Sequence, residues 1–304
     1  MKRREFLQEM GTGLLTAAIM PGLMGQLLIR QVGRGTQLPT LGAAAHCEGT
    51  RIVAIGIGPT AAGITTILSH GTPEISCHQV VFDSTGKGSA LAELLALVRS
   101  CDLLFLLTCF DDPACLPVFE AMGASARECD VFTIGIVPDP TILRPDPKVV
   151  SSLWNVSFQA LAATPPAGGG KTTGWNGYAM RHLPATVVDI ILHHSLICVD
   201  FADVRSVMTA GSMGRMGVAV APIESAPLAA IGAFKRLQGQ EFRIDTASGF
   251  LVCVRSSSAI TMDDFDRAAA VIHEWVPSEA DLIISLVMDE AMGGNVKATI
   301  LAVT

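Results

Sequence analysis

At 304 residues, half of them hydrophobic and only 16% charged, the chain can bury a sizeable core, which excludes the disordered class and suggests about two domains. A net charge of −7, with no Lys/Arg run beyond the first few residues, excludes a nucleic-acid or acidic-membrane footprint. The eight cysteines, at 47, 77, 101, 109, 115, 129, 198 and 253, form neither a CxxC pair nor the Cys/His spacing of a zinc site, so no metal is implied.

The N-terminus places Arg3 and Arg4 before Phe6 and Leu7, followed by an uncharged Gly/Ala/Leu stretch from Met10 to Leu28. This resembles a twin-arginine export signal. Gly11, Gly13, Pro21, Gly22 and Gly25 make it a poor bilayer-spanning helix. Residues 29 to 50 carry Gly, Pro, Thr and Gln without periodicity and read as a linker, so residues 1–50 form an N-terminal extension.

The folded body opens near Arg51. RIVAIGIG is predicted as a buried strand, followed by a glycine-containing turn and the helical pattern AAGITTILSH. Next come the strand HQVVF, a helix around Ser89–Arg99, the apolar strand DLLFLL, a helix near Leu116–Glu128 and the strand VFTIGIV. Strands alternating with helices predict a mostly parallel, doubly wound α/β sheet whose ligands sit at the strands' carboxyl ends. Residues 139 to 177 are rich in Pro, Gly and Thr and read as irregular connection, including the short apolar piece LWNVSFQAL. Within it, Gly168–Thr172 (GGGKT) echoes a phosphate-binding P-loop, but the glycine required five positions before Gly170 is Pro165.

LPATVVDIILHHSL then reads as a connecting helix, residues 183–196, between residues 51–182 and a C-terminal domain of residues 197–304. That second domain reads as α+β: a helix near Ser225–Leu237, the strand FLVCVR, a helix opened by the capping-box pair Thr261 and Asp264, and the strands DLIISLVMD and NVKATILAVT.

Three stretches resemble the bacterial tubulin relative FtsZ. LICVDFADVRSVM (196–208), with GRMGVAV at 214–220, is similar to the family's catalytic Asp loop and the Met/Gly stretch after it. The tail FLVCVRSSSAITMDDFDRAA, DLIISLVMD, VKATILAVT follows the family's order of strand, helix, strand, strand, and residues 105–140 line up without a gap with its phosphate-loop unit. The resemblance implies a tubulin/FtsZ-like α/β fold and GTP, with Mg²⁺, as the ligand. In that family one subunit's Asp loop closes over the nucleotide of the next, which maps catalytic carboxylates onto Asp200 and Asp203; the usual Asn before them is Cys198. Taken alone, two aspartates three apart at a helix start also read as a solvated cap.

Where the family has a Gly/Thr-rich phosphate loop, this chain has Cys109, Phe110, Asp111, Asp112, Pro113, Ala114 and Cys115. Carboxylates repel a triphosphate, Pro113 offers no N–H, and the glycines that allow close backbone approach are missing, so the loop reads as degenerate. The remaining nucleotide contacts implied by the resemblance are Gly56, Gly58 and Gly63 in the first turn, also readable as a tight strand–helix turn, with Asn176 one residue out of register and Arg144 as a stray match.

Three functions follow as expectations. In the first, an FtsZ-like protein with weak or no GTPase activity associates head-to-tail, through its Asp-loop face, with FtsZ-type subunits or with itself. In the second, an active GTPase filament protein of cell division uses Asp111 and Asp112 to hold Mg²⁺. In the third, the twin-arginine reading makes the chain an exported, nucleotide-free interaction protein, whereas the family resemblance implies a cytoplasmic one. The sequence stops at Thr304 directly after the last predicted strand, so recruitment through a C-terminal tethering peptide is not expected.

Overall fold

The structure is a computed structural model that describes residues 27–31, 50–82, 89–110, 112–138, 156–160, 175–192 and 199–304. The Arg3/Arg4 segment, Asp111, Arg144, Gly168–Thr172 and Cys198 lie outside the described residues. The chain divides into two compact units, the first built mainly from residues 51–134 and the second mainly from residues 155–304.

The first unit runs β1 (Leu27–Gln31), β2 (Ile52–Ile57), α1 (Pro59–Gly71), β3 (Ile75–Phe82), α2 (Ser89–Ser100), β4 (Leu103–Thr108), α3 (Cys115–Glu128) and the start of β5 (Phe132–Pro138). Its strand order is β1-β3-β2-β4-β5. β2 pairs in parallel with both β3 and β4, with Ile57 opposite Val80 on one side and Thr108 on the other. The carboxyl ends of these strands are therefore level, and the loops that follow them share one edge of the sheet. Every residue of β2 and β4 is buried. This is why they read as unbroken apolar runs instead of alternating ones.

β1 corrects the linker reading at residues 29 to 31. Leu27–Gln31 adds to the sheet as an antiparallel edge strand, with Leu27 opposite Phe82 and Gln31 opposite His78. A five-residue edge strand carries too little alternation to stand out beside the glycine-rich stretch before it.

The second unit contains β6 (Val156–Ala160), α4 (Trp175–Leu192), α5 (Phe201–Thr209), β7 (Met213–Pro222), α6 (Ala226–Gln238), β8 (Gly249–Ser256), α7 (Met262–Trp275), β9 (Asp281–Met288) and β10 (Asn295–Val303). Its strand order is β6-β7-β10-β8-β9. β10 pairs antiparallel with β7 and β8, while β8 and β9 are parallel. One face packs under α6 and α7, where Ala226, Ala229, Ala230 and Ala233 meet Phe250, Val252 and Ile300. The small side chains of α6 let its backbone lie close to β7: a Cβ on Gly217 would sit 2.2 Å from the Ala233 carbonyl oxygen. Phe234 stacks on Trp275 at 5.1 Å and closes this core. On the opposite face α5 lies as close to β8, since a Cβ on Gly249 would sit 2.4 Å from the Val207 carbonyl oxygen.

Two further sequence readings change here. β6 lies inside the stretch read as irregular, and only Ser157 and Phe158 register with β7, opposite Met213 and Gly214. The connecting helix starts at Trp175, eight residues before the predicted start at 183, and holds Pro184 in its interior. Proline is favoured at a helix's first turn and costly inside one, so the sequence places the start beside it.

Candidate functional site

The loops after β2 and β4 form a first candidate site, wholly in the first unit. β2 passes into α1 through a single residue, Gly58, whose φ of 90° is open to glycine but strained for other residues. A Cβ on Gly56 would lie 2.5 Å from the Ala61 carbonyl oxygen, so Gly56 lets α1 pack directly on its own strand. Pro59 begins α1 and has no N–H to offer. The Gly58 amide donates to the Val80 carbonyl at 2.9 Å, and the Ala62 amide donates to the Gly58 carbonyl at 2.9 Å. Gly63 lies on α1, where a Cβ would meet nothing within 4 Å, so packing does not require glycine there.

After β4 the chain closes on itself. Phe110 takes a left-handed φ of 52°. Its amide donates to Thr108 Oγ1 at 3.1 Å, and its ring meets the Phe119 ring edge-on at 5.3 Å. Asp112 then supplies two acceptors: its Oδ1 receives the Ala114 amide at 2.8 Å and its carbonyl receives the Cys115 amide at 2.9 Å. The Cys115 thiol reaches 3.9 Å from the Ile57 carbonyl oxygen, bringing the start of α3 against the end of β2. Gly56, Gly58, Asp112 and Pro113 thus come together on one sheet edge. The amides of Gly58, Phe110, Ala114 and Cys115 are all bonded within the protein, and Pro59 and Pro113 have none. An anion arriving at α3 would have to displace Asp112 from Ala114 against a like charge.

A second candidate site lies in the second unit. Asp200 is the N-cap of α5: its Oδ1 accepts the Asp203 amide at 2.7 Å, and Asp203 Oδ2 accepts the Asp200 amide at 3.4 Å. This reciprocal box satisfies two helix-end donors and puts two carboxylates at the positive end of the helix dipole. Both aspartates are exposed, while Val204, Val207 and Met208 bury the opposite side of α5. The box uses one oxygen of each carboxylate; the second oxygens make no hydrogen bond among the described residues. Asn176 lies in the first turn of α4.

Sequence reasoning missed the part Asp112 plays as an internal acceptor. Its signal was present in Asp-Pro-Ala, because an aspartate readily bonds the amide two residues on. It also missed the ion pairs of Arg255 with Asp189, on α4, and with Asp289 at 3.0 Å. Those join residues distant in sequence, which no local pattern reveals.

No family model matches the chain. Among solved structures, a point mutant of FtsZ from M. jannaschii matches with a TM-score of 0.69 at 15% identity, covering 84% of this chain and 91% of that one. The chain has the tubulin/FtsZ fold. CetZ2 from Haloferax volcanii, solved as a GTPγS-bound protofilament, matches with a TM-score of 0.62 at 12% identity over 83% of this chain and 92% of that one. In sequence, the chain is similar to cell division protein FtsZ of Bartonella bacilliformis, at 27% identity over 197 residues, 60% of this chain and 33% of that protein. It is also similar to cell division protein FtsZ 2 of Rhizobium meliloti (strain 1021), at 32% identity over 117 residues, 38% of this chain and 34% of that protein. The chain therefore matches about a third of the length of these curated relatives. On the FtsZ fold, the loops after β2 and β4 occupy the strand-end position at which parallel α/β sheets bind ligands.

Proposed function

We propose that this chain is a tubulin/FtsZ-type assembly protein that binds GTP weakly or not at all. It associates head-to-tail, through its Asp-loop face, with FtsZ-type subunits or with a second copy of itself. One observation carries the reading: the backbone amides of Gly58, Phe110, Ala114 and Cys115, beside the prolines 59 and 113, are already bonded inside the chain. A phosphate cradle works by aiming such amides at the ligand. Each hydrogen bond to a charged group is worth about 1.5–3 kcal/mol, and micromolar affinity needs about 8 kcal/mol in all, so losing several removes it. The residues present do not fit a bound triphosphate.

The Asp-loop side supports the other half of the proposal. Asp200 and Asp203 are exposed and held in fixed positions by their own helix cap. Each keeps an oxygen outside that cap, which suits the pair to orienting a water or a cation on a neighbouring subunit. The names of the relatives suggest cell division as the setting.

The test is to mix the full chain with an assembling FtsZ and follow light scattering and phosphate release. Sub-stoichiometric chain should change both, because its altered nucleotide face would end a head-to-tail filament instead of extending it. No change in either signal at equimolar protein contradicts association with FtsZ-type subunits.

A further inference from the structure

The face of the second unit's sheet that lies opposite α6 and α7 carries an unusual charge arrangement. Along β10, Val296, Ala298, Ile300 and Ala302 enter the core under α6 and α7, and along β8 so do Phe250, Val252 and Val254. Strand alternation puts Lys297 and Arg255 on the other face. There they are direct cross-strand partners, and Lys297 is also opposite Val220 of β7, which is 50% exposed. Two like charges directly opposite each other destabilise a sheet unless anions compensate.

Among the described residues, the carboxylates present form ion pairs with only one of them. Arg255 pairs through Nη2 with Asp189 on α4 and through Nη1 with Asp289, 3.0 Å away. Its Nε is buried without a hydrogen-bond partner among the described residues. The Lys297 ammonium makes no hydrogen bond or ion pair among the described residues, although it is largely withdrawn from solvent. Burial and then the charge of Arg255 hold its ammonium below the usual range, and Asp289 offsets this only in part. The α4 side adds a third cation. Arg181 donates to His182 Nε2 at 2.8 Å, and burial followed by the charges of Arg181, Lys297 and Arg255 pushes that imidazole down to about 3. His182 is therefore neutral at physiological pH and adds no fourth cation. Three cations face two carboxylates, both engaged by Arg255, in a chain whose net charge is −7.

We infer that Lys297, flanked by Arg255 and Arg181 on the α4-facing side of the sheet, binds a small oxyanion, a carboxylate or a phosphate. The site lies wholly in the second unit and does not depend on the nucleotide reading of the first. The chemistry is that of a point charge inside a partly desolvated surround, where one ammonium–oxyanion contact is stronger than it would be in water.

The experiment is thermal melting of the full chain against inorganic phosphate and, separately, citrate, at constant ionic strength, for wild type, K297M and K297R. The melting temperature should rise with at least one of the two anions, and which one identifies the oxyanion class. K297R should keep the rise, while K297M should need about tenfold to a hundredfold more anion for the same effect. In anion-free buffer K297M should melt no lower than wild type, because it removes a like charge opposite Arg255 and keeps the side-chain volume. Absence of any rise in wild type overturns the proposal. So does an equal rise in K297M, or a K297M that melts lower without anion.

Discussion

The β4–α3 loop and the start of α5 solve the same problem, how to satisfy the open amides of a helix N-terminus, in opposite ways. In the first, Asp112 is drawn inward to Ala114, and Phe110 folds back onto Phe119. In the second, Asp200 and Asp203 cap each other's backbone and stay exposed. An aspartate at a helix start is therefore not by itself a sign of either role. What separates the two is whether the cap leaves carboxylate oxygens outward or closes a surface that a ligand would need.

The comparison breaks most severely if the α5 carboxylates do nothing beyond capping. The D200A/D203A variant should lower any FtsZ turnover stimulated by the chain by about ten- to a thousandfold, as removal of water-orienting groups does. Its own stability should fall by only about 1–2 kcal/mol, the cost of a lost cap. Phosphate release and urea unfolding read the two effects separately, and a fall in stability with unchanged turnover would reduce the pair to a structural cap.

Next in size is the frame under the first loop. Gly56→Ala places a methyl group 2.5 Å from the Ala61 carbonyl, a backbone atom that cannot swing away. About 2–3 kcal/mol of stability should be lost, measured as a lower denaturation midpoint. Gly63→Ala, on the open side of the same helix, should be neutral or stabilising by up to about 1 kcal/mol.

Asp112→Ala removes the acceptor for the Ala114 amide and should cost about 1 kcal/mol. GTP affinity should not appear in this variant, since Pro59 and Pro113 still lack N–H groups. Smallest is Phe110→Gly. Relief of the left-handed φ and loss of the edge-on contact with Phe119 are each worth about 1 kcal/mol and oppose each other, so stability should move by less than about 1 kcal/mol.

The parallel core was legible because β2 and β4 are buried on both faces, which leaves unbroken apolar runs between helical patterns. The Thr261/Asp264 box was legible because a capping box is a local device with fixed spacing, and it forms as expected. β1 and β6 were not, since five residues each carry little pattern and their pairing is decided by distant partners. The site divides along the same line. Asp200 and Asp203 could be singled out because a sequence resemblance surrounds them, and the missing glycines after β4 could be read directly. The inward bond of Asp112, the left-handed Phe110 and the Arg255–Asp189 pair depend on where the backbone goes next, which residue types alone do not state.

The most direct test of a closed nucleotide loop is calorimetric titration of the full chain with GTP and Mg²⁺. With the amides of Gly58, Phe110, Ala114 and Cys115 bonded internally, no saturable heat should appear below about millimolar nucleotide, equivalent to less than about 4 kcal/mol of binding free energy. Saturable binding at micromolar GTP would contradict the closed loop and make the chain a nucleotide-binding FtsZ-type protein.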